Sequence, residues 1–181
     1  MRAAPGTVLH FSEDPDIVEF APRVAPTSAD PEPGVWAVDH TRSADYWFPR
    51  QCPRAMACVT ETTTDADRLS VLGPAARRVH MIEYGWLEPL RTVQLYAYAF
   101  DAADFRPHAD DPSSHAHVAR RPVRPLGPPR PVGNLLGLHA QAGIELRLVD
   151  TLWPWWDAVI ASTVGFSGIR LRHARPRPEP Q

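Results

Sequence analysis

Thr92-Val93-Gln94-Leu95-Tyr96-Ala97-Tyr98-Ala99-Phe100 is the stretch on which the fold class turns. Val93, Leu95, Ala97 and Ala99 fall on one side and Gln94, Tyr96, Tyr98 and Phe100 on the other, the period of two that a β-strand imposes. Such an aromatic face either packs into a core or borders a cleft. Outward from this strand, the chain predicts further short strands at residues 7–11, 35–38, 55–60, 79–83, 116–119, 123–126 and 144–149. Short helical patterns separate them. One runs from a cap at Asp39 or Thr41 to Phe48 and is stopped by Pro49 and Pro53, and a second is a turn around 86–90. A third is capped by Asn134 and ended by Gly143, and the last runs from Trp153 or Trp155 to about Thr163 with Pro154 in its first turn. Residues 22–34 and 105–114 read as loops, and the prolines between 122 and 131 suit an extended edge or a stiff connector. Strands and helices do not alternate regularly, so a doubly wound parallel sheet is excluded and the α+β class is expected. The expected architecture is a single compact domain over residues 1–174, with a short-stranded, mixed or mostly antiparallel split sheet and a few short helices. A mobile Pro/Arg-rich tail is expected at 175–181.

Composition narrows the function classes. A chain of 181 residues with 44% apolar content supports one real core. No apolar run approaches the roughly 20 residues that cross a bilayer, and the residues before His10 lack a signal-peptide pattern, so a cytoplasmic protein without a membrane partner is expected. Every basic residue is Arg, which removes Schiff-base lysine chemistry and the P-loop ammonium. A net charge of −2 with mixed signs gives no global field for nucleic acid, which makes that partner an unfavoured one. Cys52 and Cys58 fit neither a disulfide framework nor a zinc spacing and read as reduced thiols.

Functional signals concentrate where the first strand ends. In Leu9-His10-Phe11-Ser12-Glu13-Asp14-Pro15-Asp16, alternation puts His10 and Ser12 on one face, opposite Leu9 and Phe11. They can present two hydrogen-bonding groups to one ligand, or cap a sheet end and shape a turn. Arg50 and Arg54 flank Gln51-Cys52-Pro53, and their guanidinium forks suit a phosphate or carboxylate, or else pair with Glu13, Asp14 or Asp16. His108, Asp110, His115 and His117 form the one cluster with metal-ligand character. They sit in a plain solvent loop, and no metal is expected. His80 and Glu83 would point to opposite faces of a strand. Trp153, Trp155 and Trp156 offer an aromatic area that could stack a base, and packing of the last helix onto a sheet is the preferred reading.

Two resemblances rest on these residues. Leu9-His10-Phe11-Ser12-Glu13-Asp14-Pro15, Val35-Trp36-Ala37-Val38-Asp39 and Tyr46-Trp47-Phe48-Pro49-Arg50-Gln51-Cys52-Pro53-Arg54 resemble a family of uncharacterised bacterial domains over nearly the whole chain. The order of pieces is also similar to small ADP-ribosyltransferase-like domains, including rifamycin ADP-ribosyltransferases and RNA 2′-phosphotransferases. There a first-strand His bonds a ribose hydroxyl of NAD, and an aromatic residue on a second strand lies beside the nicotinamide. By that resemblance His10 takes the first position and Trp36, before the helix with Ala44 and Tyr46, takes the second. Trp36 stands where Tyr is usual, and Arg120 and Arg121 occupy the late position that is usually acidic, leaving Glu83 or Asp39 to supply a carboxylate. The implied protein binds NAD or a related nucleotide as substrate, with His10 and Ser12 on the ribose, Trp36 and Tyr46 against the base, Arg50 or Arg54 on phosphate, and His10, Trp36 and Glu83 as catalytic residues. It would transfer or hydrolyse at an N-glycosidic ribose bond. The alternatives are a non-catalytic domain that binds a protein partner through a vestigial cleft, and a small-metabolite enzyme with His10 as general base.

Overall fold

In the computed structural model of this chain, residues 1–24, 31–108 and 116–177 are described. The strands are β1 (Thr7–Ser12), β2 (Val35–Val38), β3 (Arg54–Cys58), β4 (Arg78–Glu83), β5 (Tyr96–Asp101), β6 (Arg106–Pro107), β7 (Ala116–Ala119), β8 (Arg130–Pro131), β9 (Glu145–Val149) and β10 (Gly165–Ile169). The helices are α1 (Asp65–Asp67), α2 (Leu87–Thr92), α3 (Leu135–Gln141) and α4 (Trp153–Ile160), joined by single turns of other helical types. The class is α+β with short helices, as the irregular alternation predicts. The chain divides into two compact units, one of Met1–Arg50 with Val93–Gly133, the other of Gln51–Thr92 with Asn134–Gln181.

The first unit is built on an antiparallel sheet ordered β6-β7-β2-β1-β5-β8. Register pairs His10 with Tyr98, Val8 with Phe100, and Val35 with Ala119. These residues share one face, and that face is the unit's core: Val8, Val35, Ala37, Tyr98, Phe100 and Ala119 close around Phe20, Phe105 and Val123. The aromatic side of the opening strand is therefore core. Phe20 meets Tyr98 and Phe100 edge-on at 5.0 and 5.2 Å, contacts worth ~0.5–1.5 kcal/mol each beyond their burial. The strand is shorter than its pattern, because α2 holds residues through Thr92 and the Leu95 carbonyl accepts from Val132 N–H outside the ladder. The expected strand at 123–126 is a single bridge, Val123 to Phe20, since Pro122 and Pro125 have no N–H for a ladder. The expected helix to Phe48 contracts to one 3-10 turn, Ser43–Tyr46. Asp39 does not cap it: the N-cap position is Arg42, without a side-chain cap bond, and the Asp39 carboxylate accepts from the N–H of Thr41 and Arg42 in the preceding turn, while Trp47 and Phe48 are both buried and Pro49 follows.

The second unit carries a mixed sheet ordered β10-β3-β4-β9, antiparallel except for β4 and β9. Ala57, Val71, Leu72, Val79, Val159 and Val164 form one apolar cluster and Ala55, Met81 and Leu152 another, with Trp155 and Trp156 packed on both. Strand β10 has no counterpart in the sequence reading. Gly165 and Gly168 conceal it, and both are there for space: a Cβ at Gly168 would lie 2.6 Å from Leu171 Cδ1, and one at Gly165 would lie 2.6 Å from Thr60 Cγ2. The start of the tail is anchored. Arg175 N–H donates to the Glu83 carboxylate, and the Arg177 guanidinium pairs with Asp157 and lies 4.5 Å from the Trp153 ring centre. Residues 178–181 lie outside the described residues. No helix among the described residues is long and apolar enough to cross a membrane.

Candidate functional site

Strand β1 delivers His10 to the rim of the first unit's core, where its ring packs 4.9 Å from that of Phe20. Its Nδ1 lies 2.7 Å from the Trp36 carbonyl oxygen, which can only accept, so Nδ1 carries the proton. Burial pushes the imidazole below the usual histidine range. The Trp36 bond opposes that shift, and the nearby Arg50 guanidinium adds to it. The neutral ring then keeps a lone pair on Nε2, for which no partner exists among the described residues.

The acidic turn is braced around this ring. The buried Ser12 Oγ accepts from Asp14 N–H at 3.1 Å, and the Asp14 carboxylate accepts from Asp16 N–H at 2.9 Å. Tyr98 donates its hydroxyl proton to the Asp14 carbonyl at 2.7 Å and accepts from Ile17 N–H at 3.1 Å. Glu13 Oε1 accepts from Arg50 N–H at 2.7 Å, which fixes the backbone of Arg50 beside the turn. The exposed Arg50 guanidinium has no partner among the described residues. One corner of the unit therefore gathers an imidazole acceptor, the Ser12 hydroxyl on the same strand face, an uncommitted guanidinium and the Glu13 carboxylate.

The sheet separates this corner from the side chains of Trp36 and Tyr46. Leu9 opposes Val38 and Trp36 opposes Val118, so Trp36 leaves the sheet on the face opposite His10, and only its carbonyl reaches the imidazole. Its indole instead meets His108 edge-on at 4.5 Å. Tyr46 stacks on Phe11, interplanar 8° at 6.5 Å, and Phe11 also projects away from His10. An intact site of His10, Trp36 and Tyr46 therefore does not assemble on one face. Arg54 and Glu83 belong to the second unit. Arg54 is buried at the start of β3 and donates to the Cys52 carbonyl at 3.0 Å, so its guanidinium is structural. Glu83 is buried, and both its oxygens accept the Arg175 N–H at 3.0 and 3.1 Å. Beside them, burial pushes the Cys52 thiol up to about 12, and Arg54 only partly offsets this.

The second unit holds a polar assembly that the sequence reading missed. His80 and His139, both fully buried, lie Nδ1 to Nε2 at 3.1 Å. Arg78 Nε–H donates to His80 Nε2 at 3.1 Å, and His139 Nδ1 is 2.8 Å from the Leu135 carbonyl. The arginine can only donate and the carbonyl can only accept, so both rings are neutral with the proton on Nδ1, and three hydrogen bonds run in one direction. No spacing pattern joins residues 59 apart. Of the expected metal-like cluster, Asp110 and His115 lie outside the described residues, and no group of three or more potential ligands occurs among those described.

A family comparison matches residues 9–174. The chain belongs to the family of unknown function DUF6886. The matched span of this DUF6886 chain opens on β1, one residue before His10, and closes one residue before Arg175, so it takes in segments of both units. No curated protein and no solved structure matches the chain.

Proposed function

We propose that this DUF6886 chain is a nucleotide-binding domain of the ADP-ribosyltransferase-like type, which takes the ribose and phosphate of NAD or a related nucleotide at the end of β1. The observation that carries the reading is a neutral His10 whose Nε2 has no partner among the described residues, beside an Arg50 guanidinium that has none there either. His10 Nε2 accepts a ribose hydroxyl proton, the Ser12 hydroxyl serves as the second sugar contact, and the Arg50 fork holds a phosphate. Trp36 and Tyr46, on the opposite face, take no part in holding the base. Glu83 is committed to Arg175, so the carboxylate of the site is Glu13, whose second oxygen has no partner among the described residues. The reaction open to this set is cleavage of the ribose–base bond. The C1′–N bond breaks, the base leaves with its electron pair, and the oxygen of an acceptor hydroxyl or water adds to C1′ while its proton passes to His10 or Glu13.

A second reading, binding without turnover, is favoured by one observation: the Trp36 indole that the resemblance implies leaves the sheet on the face opposite the His10 ring, and the Glu83 carboxylate is spent on the Arg175 N–H. A thermal-shift series with NAD, ADP-ribose and ribose 5-phosphate tests the shared claim, since a ligand selective for the folded state raises its stability. All three stabilise the wild type and none stabilises Arg50→Ala if the site is right; absence of any shift in the wild type overturns it. Release of nicotinamide from NAD, abolished in Glu13→Gln, then separates turnover from binding.

A further inference from the structure

The six-stranded sheet ends at β6, and the short segment around it forms a groove of about 440 Å³ with no role in the site at β1. Asp104, Phe105, Arg106, Val118, Arg120 and Arg121 line it. Arg106 on β6 lies directly opposite Val118 on β7, and alternation puts Arg120 on the same face. Two of the three arginines are clamped. Arg120 Nη1 donates to the carbonyls of Glu32 and Pro33 at 2.9 and 3.0 Å, and Arg121 Nη2 meets Asp104 Oδ1 at 2.5 Å. The first clamp depends on Gly34, where a Cβ would stand 2.5 Å from Val118 Cγ1 and 3.2 Å from Arg120 Nη1. Arg106 has no partner among the described residues, so the groove keeps a surplus positive charge. Val118, 5% exposed, is the apolar side chain on the Arg106 face, while the Phe105 side chain belongs to the core on the other face. On the Val118 side of the sheet, the buried Trp36 indole N–H also finds no acceptor among the described residues.

We propose that this groove is a second ligand site, for a small organic phosphate whose oxyanion sits on Arg106 and Arg121 and whose apolar body rests against Val118. The clamped guanidinium of Arg121 retains N–H groups beyond the one spent on Asp104, and its orientation is fixed before the ligand arrives, which lowers the ordering cost of binding. The volume lies in the range of small-molecule sites and exceeds what a bare phosphate fills, so the Val118 side chain gives the site its preference for an esterified anion.

Calorimetric titration of the full chain at low salt with phenyl phosphate and with inorganic phosphate tests this. Phenyl phosphate binds, and more tightly than inorganic phosphate. Arg106→Gln, a change to an exposed side chain without a partner among the described residues, weakens it about tenfold or more. Arg124→Gln leaves it unchanged, being a change to an exposed arginine paired with Glu19 and not part of the groove lining. Absence of binding to the wild type overturns the proposal. An equal loss in Arg124→Gln overturns it in favour of diffuse charge attraction, and a loss confined to His10→Ala overturns it in favour of the β1 corner. Failure of the β1 reading alone leaves the Arg106 dependence in place, so the two outcomes are distinguishable.

Discussion

At the scale of single residues, the unit chemistry reduces to which polar atoms are committed and which are spare. His10 is the instructive case. Because its folded pKa lies below the roughly 6.5 of an unfolded histidine, the unfolded chain binds more protons in the window between the two values. The stability that His10 contributes is therefore complete above about pH 6.5 and is lost as pH falls through that window. Urea unfolding across pH checks the sign: the stability gap between wild type and His10→Asn narrows below about pH 6.5 and is flat above it. Cys52 supplies a second residue-level test. With its thiol pushed up to about 12 by burial, almost no thiolate exists near neutrality, so iodoacetamide at pH 8 leaves Cys52 unmodified in the native chain and labels it in urea, as read by peptide mass spectrometry. The same logic explains what the sequence concealed about the site. Alternation made the His10–Ser12 face legible, but the opposite orientation of Trp36 depends on the β1–β2 register, which no local pattern encodes.

Elements were legible where one face had to be buried. The sequence predicts β2 and β7 as short strands and the caps of α3 from Asn134 and Gly143, and the structure places Asn134 Oδ1 3.0 Å from Gly137 N–H and Gly143 at φ +65. Asn134→Ala costs α3 about 1 kcal/mol, measurable by urea unfolding. Elements were illegible where a local rule gave way to packing, as in the glycine-bearing β10 and the shortened start of β5. Gly34 belongs to this scale as well, because it lets β2 and β7 close with Val118 in place. Gly34→Ala forces Val118 aside and lowers stability by about 1–3 kcal/mol, again read by urea unfolding. The buried relay through His80 and His139 ties α3 to β4. Either residue changed singly to Leu strands a partner and costs about 1–3 kcal/mol, whereas the double Leu variant costs less than the sum, a deviation that a double-mutant cycle measures.

At the scale of the whole molecule, two sheets from interleaved chain segments carry different tasks. The antiparallel sheet of the first unit holds both proposed ligand sites, at β1 and at β6, while the mixed sheet of the second contains Arg54, Glu83 and Cys52 in structural roles. The interleaving is why a linear reading grouped Arg50 with Arg54: they are four residues apart, yet the boundary between units falls between Arg50 and Gln51. Membership of DUF6886 covers both units and leaves the chemistry to be decided at His10. The most direct test is a calorimetric titration of the full chain with ADP-ribose, in the wild type, in His10→Ala and in Trp36→Phe. Saturable binding that is lost in His10→Ala and retained in Trp36→Phe is the predicted result, and binding that ignores His10 but disappears with Trp36 would contradict it.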